Sequence, residues 1–421
     1  MTENEKTSGE YPWRARTAVL ALGTFVVGTD GFIIVGLLPE IHETLNVSTA
    51  AAGQMVSVFA VAYALLGPVL AALTGRWPRR RVLVTGVTLL AAGNAVTASA
   101  HAYGLVLASR VLAGSGAALF VAGAVATAAH LAGERRRGGS IAMVTAGATL
   151  SLVLGAPLGT LIGGAWGWQK AIWFVAAVAG AVAVVIAVLL PPITLDQGAT
   201  LRRRVAPLTD RRVLRILVVT LLAFIGIFLP FTYMSVVFAP AIGGGQARLA
   251  LLLLVFGVAA TAGNLTAGSL ADRYGPRRIV IGATMAVAAV FVVMVPIREN
   301  FILVVIAEAF SGVASYSVIG PQQHRIMAYA SPEGTSLVTS LNTSTGYLGN
   351  FLASGIGAVI LTTTGSTVLL LPVAAAFAAF AAFLAWWLSR PARDPGRKAA
   401  RLPGARRAGR EPARPGGRVS R

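Results

Sequence analysis

Twelve long apolar runs, separated by short polar segments, dominate this chain of 421 residues. A helix needs about 20 apolar residues to cross the hydrocarbon core of a bilayer, and most of the runs reach that length. Charged residues make up only 12% of the chain, about half of their share in a soluble domain. They are too few to cover a water-facing surface, so we predict an integral membrane protein. The runs lie at 17–39, 50–74, 82–101, 103–131, 140–163, 171–190, 213–239, 247–271, 279–297, 301–323, 335–362 and 367–389.

The spanning elements are predicted to be helices, which makes the fold class all-α. Inside lipid every backbone N–H and C=O must find a partner within the protein, so only helices and closed barrels span a bilayer. Barrel strands would alternate apolar and polar residues and would be about half as long as these runs. The runs are instead continuous and rich in Ala, Leu and Gly.

Nearly all basic residues fall on one side of the predicted membrane. Of the 35 Lys and Arg residues, 31 lie in the termini and in the loops after even-numbered spans. The other loops hold only Lys170, Arg248 and Arg298. The positive-inside rule therefore predicts a multi-pass protein of the cell (inner) membrane with both termini in the cytoplasm. Topology accounts for the basic charge, and no nucleic-acid module accompanies it, so a nucleic-acid partner is not expected.

The chain repeats itself after about half of its length. The loop at 73–81 and the loop at 270–278 align at an offset of 197 residues. Parallel repeats of this kind build transporters from two pseudo-symmetric six-helix halves, with the substrate site between them near mid-membrane. The predicted parts are a cytoplasmic N-terminal segment at 1–16, a six-helix bundle at 17–190, a cytoplasmic linker at 191–212, a second six-helix bundle at 213–390 and a disordered basic cytoplasmic tail at 391–421.

Four short motifs carry a resemblance to a known family. Gly268–Arg278 has the pattern G-x-L-x-D-R-x-G-x-R-R, and Arg110–Gly116 lies in the fourth run. Gly147–Gly159 lies in the fifth run and Gly28–Ile41 in the first. These motifs, in this order, are similar to those of the major facilitator superfamily. Within it, the chain over about residues 17–390 resembles the twelve-helix drug:proton antiporters of the chloramphenicol-resistance and arabinose-efflux-permease type.

This resemblance implies a secondary transporter that exports a small amphiphilic compound, a chloramphenicol-like drug, in exchange for protons by alternating access. Efflux of a sugar or another metabolite by the same fold, and a transport-inactive membrane sensor, are the alternatives. The resemblance also implies a gating loop and an antiporter-motif helix that acts as a hinge and proton seal; close helix packing is the other explanation of that helix's glycines. The gating residues are Asp272, Arg273, Gly275, Arg277, Arg278 and Arg76, and the motif-helix residues are Gly147, Gly155, Pro157 and Gly159. The first-half loop departs from the pattern, with Gly75 at the aspartate position.

Three ionisable side chains are predicted to lie well inside the spans, where each costs roughly 3 kcal/mol on insertion scales. Asp30 lies near the predicted midplane and is our leading proton-coupling residue, with Arg110 as the charge that tunes it. A packing role, with a hydrogen bond to Thr29 or to a neighbouring helix, is the alternative for Asp30. Glu308 follows Arg110 at an offset of 198 residues. It is either a further proton or substrate site or an inert group wetted near the outer surface.

The substrate cavity is predicted from the spans that face it in the resembled fold. Aromatic walls with little charge suit amphiphilic or uncharged compounds better than phosphorylated ones. For any single aromatic ring, lipid contact or packing is the alternative role. The candidate lining residues are Phe32, Phe59, Tyr63, Phe120, Phe228, Tyr233, Tyr316, Asn342, Tyr347 and Asn350.

Sequence motifs for other chemistries are lacking. The chain has no cysteine, which rules out thiolate catalysis and thiolate metal sites. None of its three lysines follows a glycine, so a phosphate-binding P-loop is excluded, and neither G-x-S-x-G nor H-E-x-x-H occurs. We therefore expect no enzyme activity, no cofactor and no metal. The expected partners are a small-molecule substrate, protons and the lipid bilayer, and the expected assembly is a monomer.

Overall fold

The computed structural model describes residues 11–194, 206–329 and 335–388. Within these ranges it contains twelve helices long and apolar enough to cross a membrane, and no strand. The predicted fold class is confirmed. The helices are α1 (Trp13–Thr44), α2 (Thr49–Leu73), α3 (Arg79–Ser99), α4 (Tyr103–Gly133), α5 (Arg136–Trp166), α6 (Trp168–Leu189), α7 (Arg211–Thr232), α8 (Gln246–Tyr274), α9 (Pro276–Ile297), α10 (Phe301–Met327), α11 (Leu337–Thr364) and α12 (Leu370–Trp387).

Several helices in the first half depart from their predicted limits. α1 continues to Thr44, so Glu40, expected at the end of a span, lies inside the helix. α4 turns into α5 at Gly133, which has φ 68° and ψ 175°, a conformation open essentially only to glycine. Further along, α5 contains a π-helical segment at Ser151–Gly155.

Two helices of the second half are broken. After α7 the chain forms two short helices, Met234–Val237 and Ala239–Ile242, where one continuous run to residue 239 was predicted. α10 consists of Phe301–Tyr316 and Ile319–Met327. The predictions for residues 1–10, for 195–205 of the linker and for the tail at 391–421 lie outside the described residues.

Small residues bring α1 and α5 into close contact along much of their length. A Cβ atom placed on Gly147 would lie 2.0 Å from the carbonyl oxygen of Ala21, and one on Gly155 would lie 2.1 Å from Thr29 Oγ1. The fit is reciprocal, since a Cβ on Gly28 would lie 2.1 Å from Ser151 Oγ. Lipid provides little hydrophobic driving force for helix association, so such close van der Waals packing holds membrane helices together. The π-helical segment begins at Ser151, so it lies in this interface.

The two halves repeat a second kind of glycine contact. In the first half a Cβ on Gly114 of α4 would lie 2.5 Å from the carbonyl oxygen of Phe59 on α2. In the second half a Cβ on Gly312 of α10 would lie 2.6 Å from the carbonyl oxygen of Phe256 on α8. The glycines are 198 residues apart and the phenylalanines 197. The internal repeat of the sequence is thus also a repeat of helix packing.

Hydrogen bonds between the two halves lie at one side of the membrane. We call the side of the loops after even-numbered helices the basic side and the other the far side. Near the far side, Ser354 Oγ of α11 donates to the carbonyl oxygen of Gly53 on α2 at 2.8 Å. Tyr233 Oη donates to the carbonyl oxygen of Ser354 at 2.8 Å, and its ring occupies a notch formed by Gly53 and Gly357. Gln246 Nε2 of α8 also donates to Glu40 Oε1 of α1 at 3.5 Å, and these contacts between the halves close the far side.

The α1–α5 contact leads to a stability prediction. Gly147→Ala places a methyl group against backbone atoms of α1, and overpacking of this kind costs about 1–3 kcal/mol. We expect a lower melting temperature for the purified variant in detergent. Gly180→Ala on α6 is the matched control, because nothing lies within 4 Å of its added Cβ. A Gly147→Ala protein that melts with the control would contradict the described contact.

Candidate functional site

A buried ion pair joins α1 to α4. Arg110 Nη1 donates to Asp30 Oδ1 at 2.7 Å, and the two side chains are 1% and 0% exposed. Arg110 Nη2 also donates to the backbone oxygen of Asp30 at 3.3 Å. On the other sides of the guanidinium group, Asn94 Oδ1 of α3 accepts at 3.3 Å and the Phe59 ring centroid lies 4.7 Å from the guanidinium carbon. Helices α1, α2, α3 and α4 therefore all contribute to this pair.

The ion pair is incompletely satisfied. Asp30 Oδ2 and Arg110 Nε are buried and have no hydrogen-bond partner among the described residues. The contact thus uses one carboxylate oxygen rather than the bidentate arrangement that gives the strongest Arg–carboxylate pairs. Thr29 Oγ1 is also without a partner in the described part of the chain, so Asp30 is not held by Thr29. One carboxylate oxygen remains available for a proton or another donor.

Glu308 occupies the position of the second half that corresponds to Arg110. Its side chain is 3% exposed, and no hydrogen bond or ion pair joins it to a described residue. At the positions of α7 that correspond to Asp30, the sequence has Ile227 and Phe228. The pseudo-symmetry of the fold therefore breaks at the charges, with a pair in the first half and a lone acid in the second.

Aromatic rings from both halves meet close to the ion pair. Phe32 of α1 lies 6.4 Å from Phe228 and 5.8 Å from Phe231 of α7, measured between ring centroids. Phe231 lies 4.8 Å from Phe256 of α8, which in turn lies 6.1 Å from Tyr316 of α10. Phe32 and Tyr316 are partly exposed although their rings face other helices.

A second aromatic contact bridges the halves between α2 and α11. The rings of Tyr63 and Tyr347 are stacked, with centroids 3.7 Å apart and planes 20° apart. Tyr63 is buried, whereas Tyr347 is partly exposed. Five of the predicted lining residues, namely Phe32, Phe228, Tyr316, Tyr63 and Tyr347, are thus brought to the boundary between the halves.

Other predicted lining residues lie elsewhere. Phe120 is completely buried in the first half, where its ring packs over Gly23 of α1. Tyr233 belongs to the far-side notch, and Phe59 lies against Arg110. These three are not brought together at the cavity, because the rotation of each helix, which a span assignment does not fix, decides which of its faces looks inward.

Asn342 is engaged in a polar network of the second half. Thr220 Oγ1 donates to Asn342 Oδ1 at 2.8 Å, and Asn342 Nδ2 donates to Gln323 Oε1 at 2.9 Å. Gln322 Nε2 donates to Thr220 Oγ1 at 3.0 Å, and Arg325 Nη1 donates to Gln322 Oε1 at 2.7 Å. This network ties the end of α10 to α7 and α11. Asn350, by contrast, has a buried Oδ1 without a partner in the described part of the chain.

The predicted gating loop lies at the end of α8. Gly275 has φ 87°, which glycine adopts without strain, and it ends the helix. Arg273 lies over the Tyr274 ring, and Arg277 donates to the backbone oxygen of Trp386 on α12 at 3.1 Å. Asp272, Arg278 and the first-half Arg76 are exposed. No ion pair joins Asp272 to a described residue, as fits a structure whose seal is at the far side.

The predicted motif helix α5 packs against α1 through Gly147, Gly155 and Gly159, and Pro157 lies in the first turn of the helical segment Ala156–Trp166 that follows the π segment. Two functional candidates were missed by the sequence analysis. Asn94 is fully buried, and its position as a polar amide within an apolar run could have marked it as a candidate from the sequence. Ser354 has no such signal, since serine is common in membrane helices.

Comparison with known proteins identifies relatives of the whole chain. A sequence model of the Major Facilitator Superfamily matches residues 20–245 and 216–416. YbcL of Bacillus subtilis (strain 168), an uncharacterized MFS-type transporter, is 32% identical over 344 residues, which is 82% of this chain and 88% of YbcL. The nucleoside transporter NupG has the same fold, with a TM-score of 0.74 and 14% identity over 90% of this chain and 100% of the NupG chain.

Two further relatives carry names that mention a compound. A chloramphenicol resistance protein of Streptomyces lividans is 32% identical over 259 residues, which is 61% of this chain and 66% of that protein. A chloramphenicol efflux pump of Mycobacterium tuberculosis (strain ATCC 25618 / H37Rv) is 31% identical over 284 residues, which is 66% of this chain and 69% of the pump.

The buried ion pair predicts a dependence of stability on both partners. Arg110→Ala leaves the Asp30 carboxylate without a countercharge, and removing one partner of a buried pair costs about 3–5 kcal/mol. We expect a marked fall in the melting temperature of the purified variant at about pH 8, where a free carboxyl group is ionised. The double variant Asp30→Asn/Arg110→Ala should regain much of the loss. Equal stability of the single and double variants would show that the pair does not hold α1 to α4.

Proposed function

The chain belongs to the Major Facilitator Superfamily, and on that premise we propose that it exports a small amphiphilic compound, a chloramphenicol-like drug, in exchange for protons. The observation that carries the proposal is the Asp30–Arg110 pair, buried among apolar helices. Ionisable groups at membrane depth are expensive and therefore mark ion or substrate pathways. The two chloramphenicol-related proteins, at 31–32% identity, support the choice of substrate.

Asp30 is the proposed proton carrier and Arg110 the group that responds to it. In the far-side-sealed state Arg110 neutralises the carboxylate through Oδ1, while Oδ2 has no partner among the described residues. A proton can therefore bind at Oδ2 without first breaking the Nη1–Oδ1 contact. Once Asp30 is protonated, the charge attraction between α1 and α4 is lost. Protonation of Asp30 therefore weakens the packing of α1 against α4. A proton-driven switch needs a link of this kind between a charge and the packing of helices.

The exchange follows from competition between two forms of the site. We propose that drug binds the form in which Asp30 is an ionised, paired carboxylate, and that the drug-free return step occurs with Asp30 protonated. A ligand shifts a conformational equilibrium only through its different affinity for the two states. Binding of drug thus favours one conformational step of the cycle and binding of a proton favours the reverse step, and both act through Asp30.

Glu308 is the proposed second titratable group. It lies on α10 at the position that corresponds to Arg110 in the repeat, and it has no countercharge among the described residues. Without a countercharge, a buried carboxyl group avoids the cost of desolvation by remaining neutral. Its proton would then be exchanged only when the second half opens to water.

The membrane orientation is also a proposal. The distribution of Lys and Arg favours the basic side as cytoplasmic, the inner membrane as location and both termini inside. The far-side seal then closes the outward path, so the structure corresponds to a state that takes up drug from the cytoplasm. We propose that the monomer is the working unit, since one chain supplies both halves of the site.

Transport in proteoliposomes tests the proposal. With an acidic lumen, outward proton flow should drive accumulation of radiolabelled chloramphenicol by the wild-type chain. Asp30→Asn should lower this accumulation at least about tenfold, because the proton site is lost and the neutral side chain cannot form the ionised, paired site that binds drug. Glu43→Gln, which removes an exposed carboxylate from the same helix, is the matched control.

Two results would contradict the proposal. If an imposed proton gradient drives no accumulation of chloramphenicol or of other drugs by the wild-type chain, drug:proton exchange is wrong. If Asp30→Asn accumulates drug as the Glu43→Gln control does, Asp30 is not the carrier, and the loss of coupling in Glu308→Gln would assign that role to Glu308.

A further inference from the structure

Helices α2 and α11 run antiparallel where they meet. Near the far side Ser354 Oγ donates a hydrogen bond to the carbonyl oxygen of Gly53, and closer to mid-membrane the ring of Tyr347 stacks on that of Tyr63. On α11 the residues at 347, 350 and 354 follow one another at spacings of three and four, so they share one helix face. Asn350 therefore faces α2 between these two contacts.

One buried oxygen atom in this boundary, Asn350 Oδ1, has no hydrogen-bond partner in the described part of the chain, and the side chain is 7% exposed. Buried polar atoms are nearly always bonded, so each exception needs an explanation. A ligand that donates a hydrogen bond to this oxygen is such an explanation.

The tyrosine stack lies about one helical turn from Asn350 on α11 and joins the two halves. Alternating access requires the halves to move apart on one side at a time, so a stack across their boundary must open during the cycle. Two parallel rings that separate by the thickness of one ring leave a slot about 7 Å between ring planes. Tyr347 is partly exposed, which gives the slot an entrance.

We propose that this boundary is a binding slot for a planar aromatic ring that carries a hydrogen-bond donor. The ring lies between Tyr63 and Tyr347, and an N–H or O–H group on its substituent donates to Asn350 Oδ1. The class of substrate is thus a neutral aromatic amide or alcohol. This inference rests on the proposed export function and specifies which compounds that function serves.

The chemistry of the slot explains why the ring must be aromatic. Opening the stack loses the contact between two phenol rings, and an inserted aromatic ring replaces it with two such contacts. Stacked aromatic pairs gain more than burial of their area alone provides. A saturated ring is thicker and has no such face, so it does not favour the opened state.

The other ring contacts between the halves do not form such a slot. Phe32 and Phe228 are parallel, but their centroids are 6.4 Å apart, so they are offset rather than overlapping. Phe32 meets Phe231 edge-on, with planes at 89°.

Equilibrium binding to the full chain in lipid nanodiscs tests the slot. The probes are radiolabelled chloramphenicol and, as competitor, an analogue with a cyclohexyl ring in place of the nitrophenyl ring. In the wild type the analogue should compete about tenfold more weakly than unlabelled chloramphenicol. Tyr347→Leu should bind chloramphenicol about tenfold more weakly and lose the preference for the aromatic ring, whereas Tyr347→Phe should keep both. Asn350→Leu should weaken binding but keep the ring preference.

Phe351→Leu is the matched control for loss of an aromatic ring from α11. Phe351 lies on a different face, in an apolar groove with Leu352 and Gly355, and its replacement should leave binding unchanged. The slot is wrong if the cyclohexyl analogue competes as well as chloramphenicol in the wild type, if Tyr347→Leu binds like Phe351→Leu, or if the wild type binds neither chloramphenicol nor a second aromatic amide.

The outcomes also separate the slot from the proposed function. Proton-driven accumulation of drug that is unchanged in Tyr347→Leu would overturn the slot and leave the exchange mechanism intact. Selective binding that depends on Tyr347, without any proton-driven accumulation, would support the slot and overturn the exchange mechanism.

Discussion

The structure depends on a pair of opposite charges held where lipid surrounds the protein. Arg110 and Asp30 are both nearly inaccessible, and α2 and α3 complete their surroundings with the Phe59 ring and the Asn94 amide. Desolvation makes each charge costly alone, and only their contact makes both tolerable. A change in the charge of either partner therefore acts on the packing of four helices. This makes the pair suitable for converting a proton into a movement.

The two halves share a fold but divide the chemistry. Equivalent glycines pack α4 on α2 and α10 on α8 in the same way, yet the first half holds a charge pair while the second holds the lone acid Glu308. The second half also contains the polar network around Thr220 and Asn342, which fixes the end of α10 after its break. In the proposed mechanism the substrate binds between these unlike surfaces, and proton coupling and recognition of the substrate are carried by different halves.

Much of this architecture follows from the sequence, because burial in lipid leaves few choices. Runs of apolar residues fixed the number of helices, and the rarity of charge within them pointed to Asp30, Arg110 and Glu308. The partners of each side chain depend on helix rotation, which apolar runs do not encode. Phe120 and Tyr347 were therefore equivalent as candidates, although one packs inside a half and the other joins the halves. The break after Tyr316 was also not predicted, although Gly320 and Pro321 follow it and a proline disrupts the preceding helical turn.

The pH dependence of drug binding to the purified chain tests the central claim most directly. If drug binds only the ionised, paired form of Asp30, the affinity for chloramphenicol should fall about tenfold per pH unit on the acid side, because one proton competes with one drug molecule. Asp30→Asn, whose side chain is neutral at every pH, should bind weakly throughout the same range, with an affinity that does not vary. If the affinity of that variant falls at acid pH as it does in the wild type, another group takes the proton, and the account of the ion pair as the coupling element is wrong.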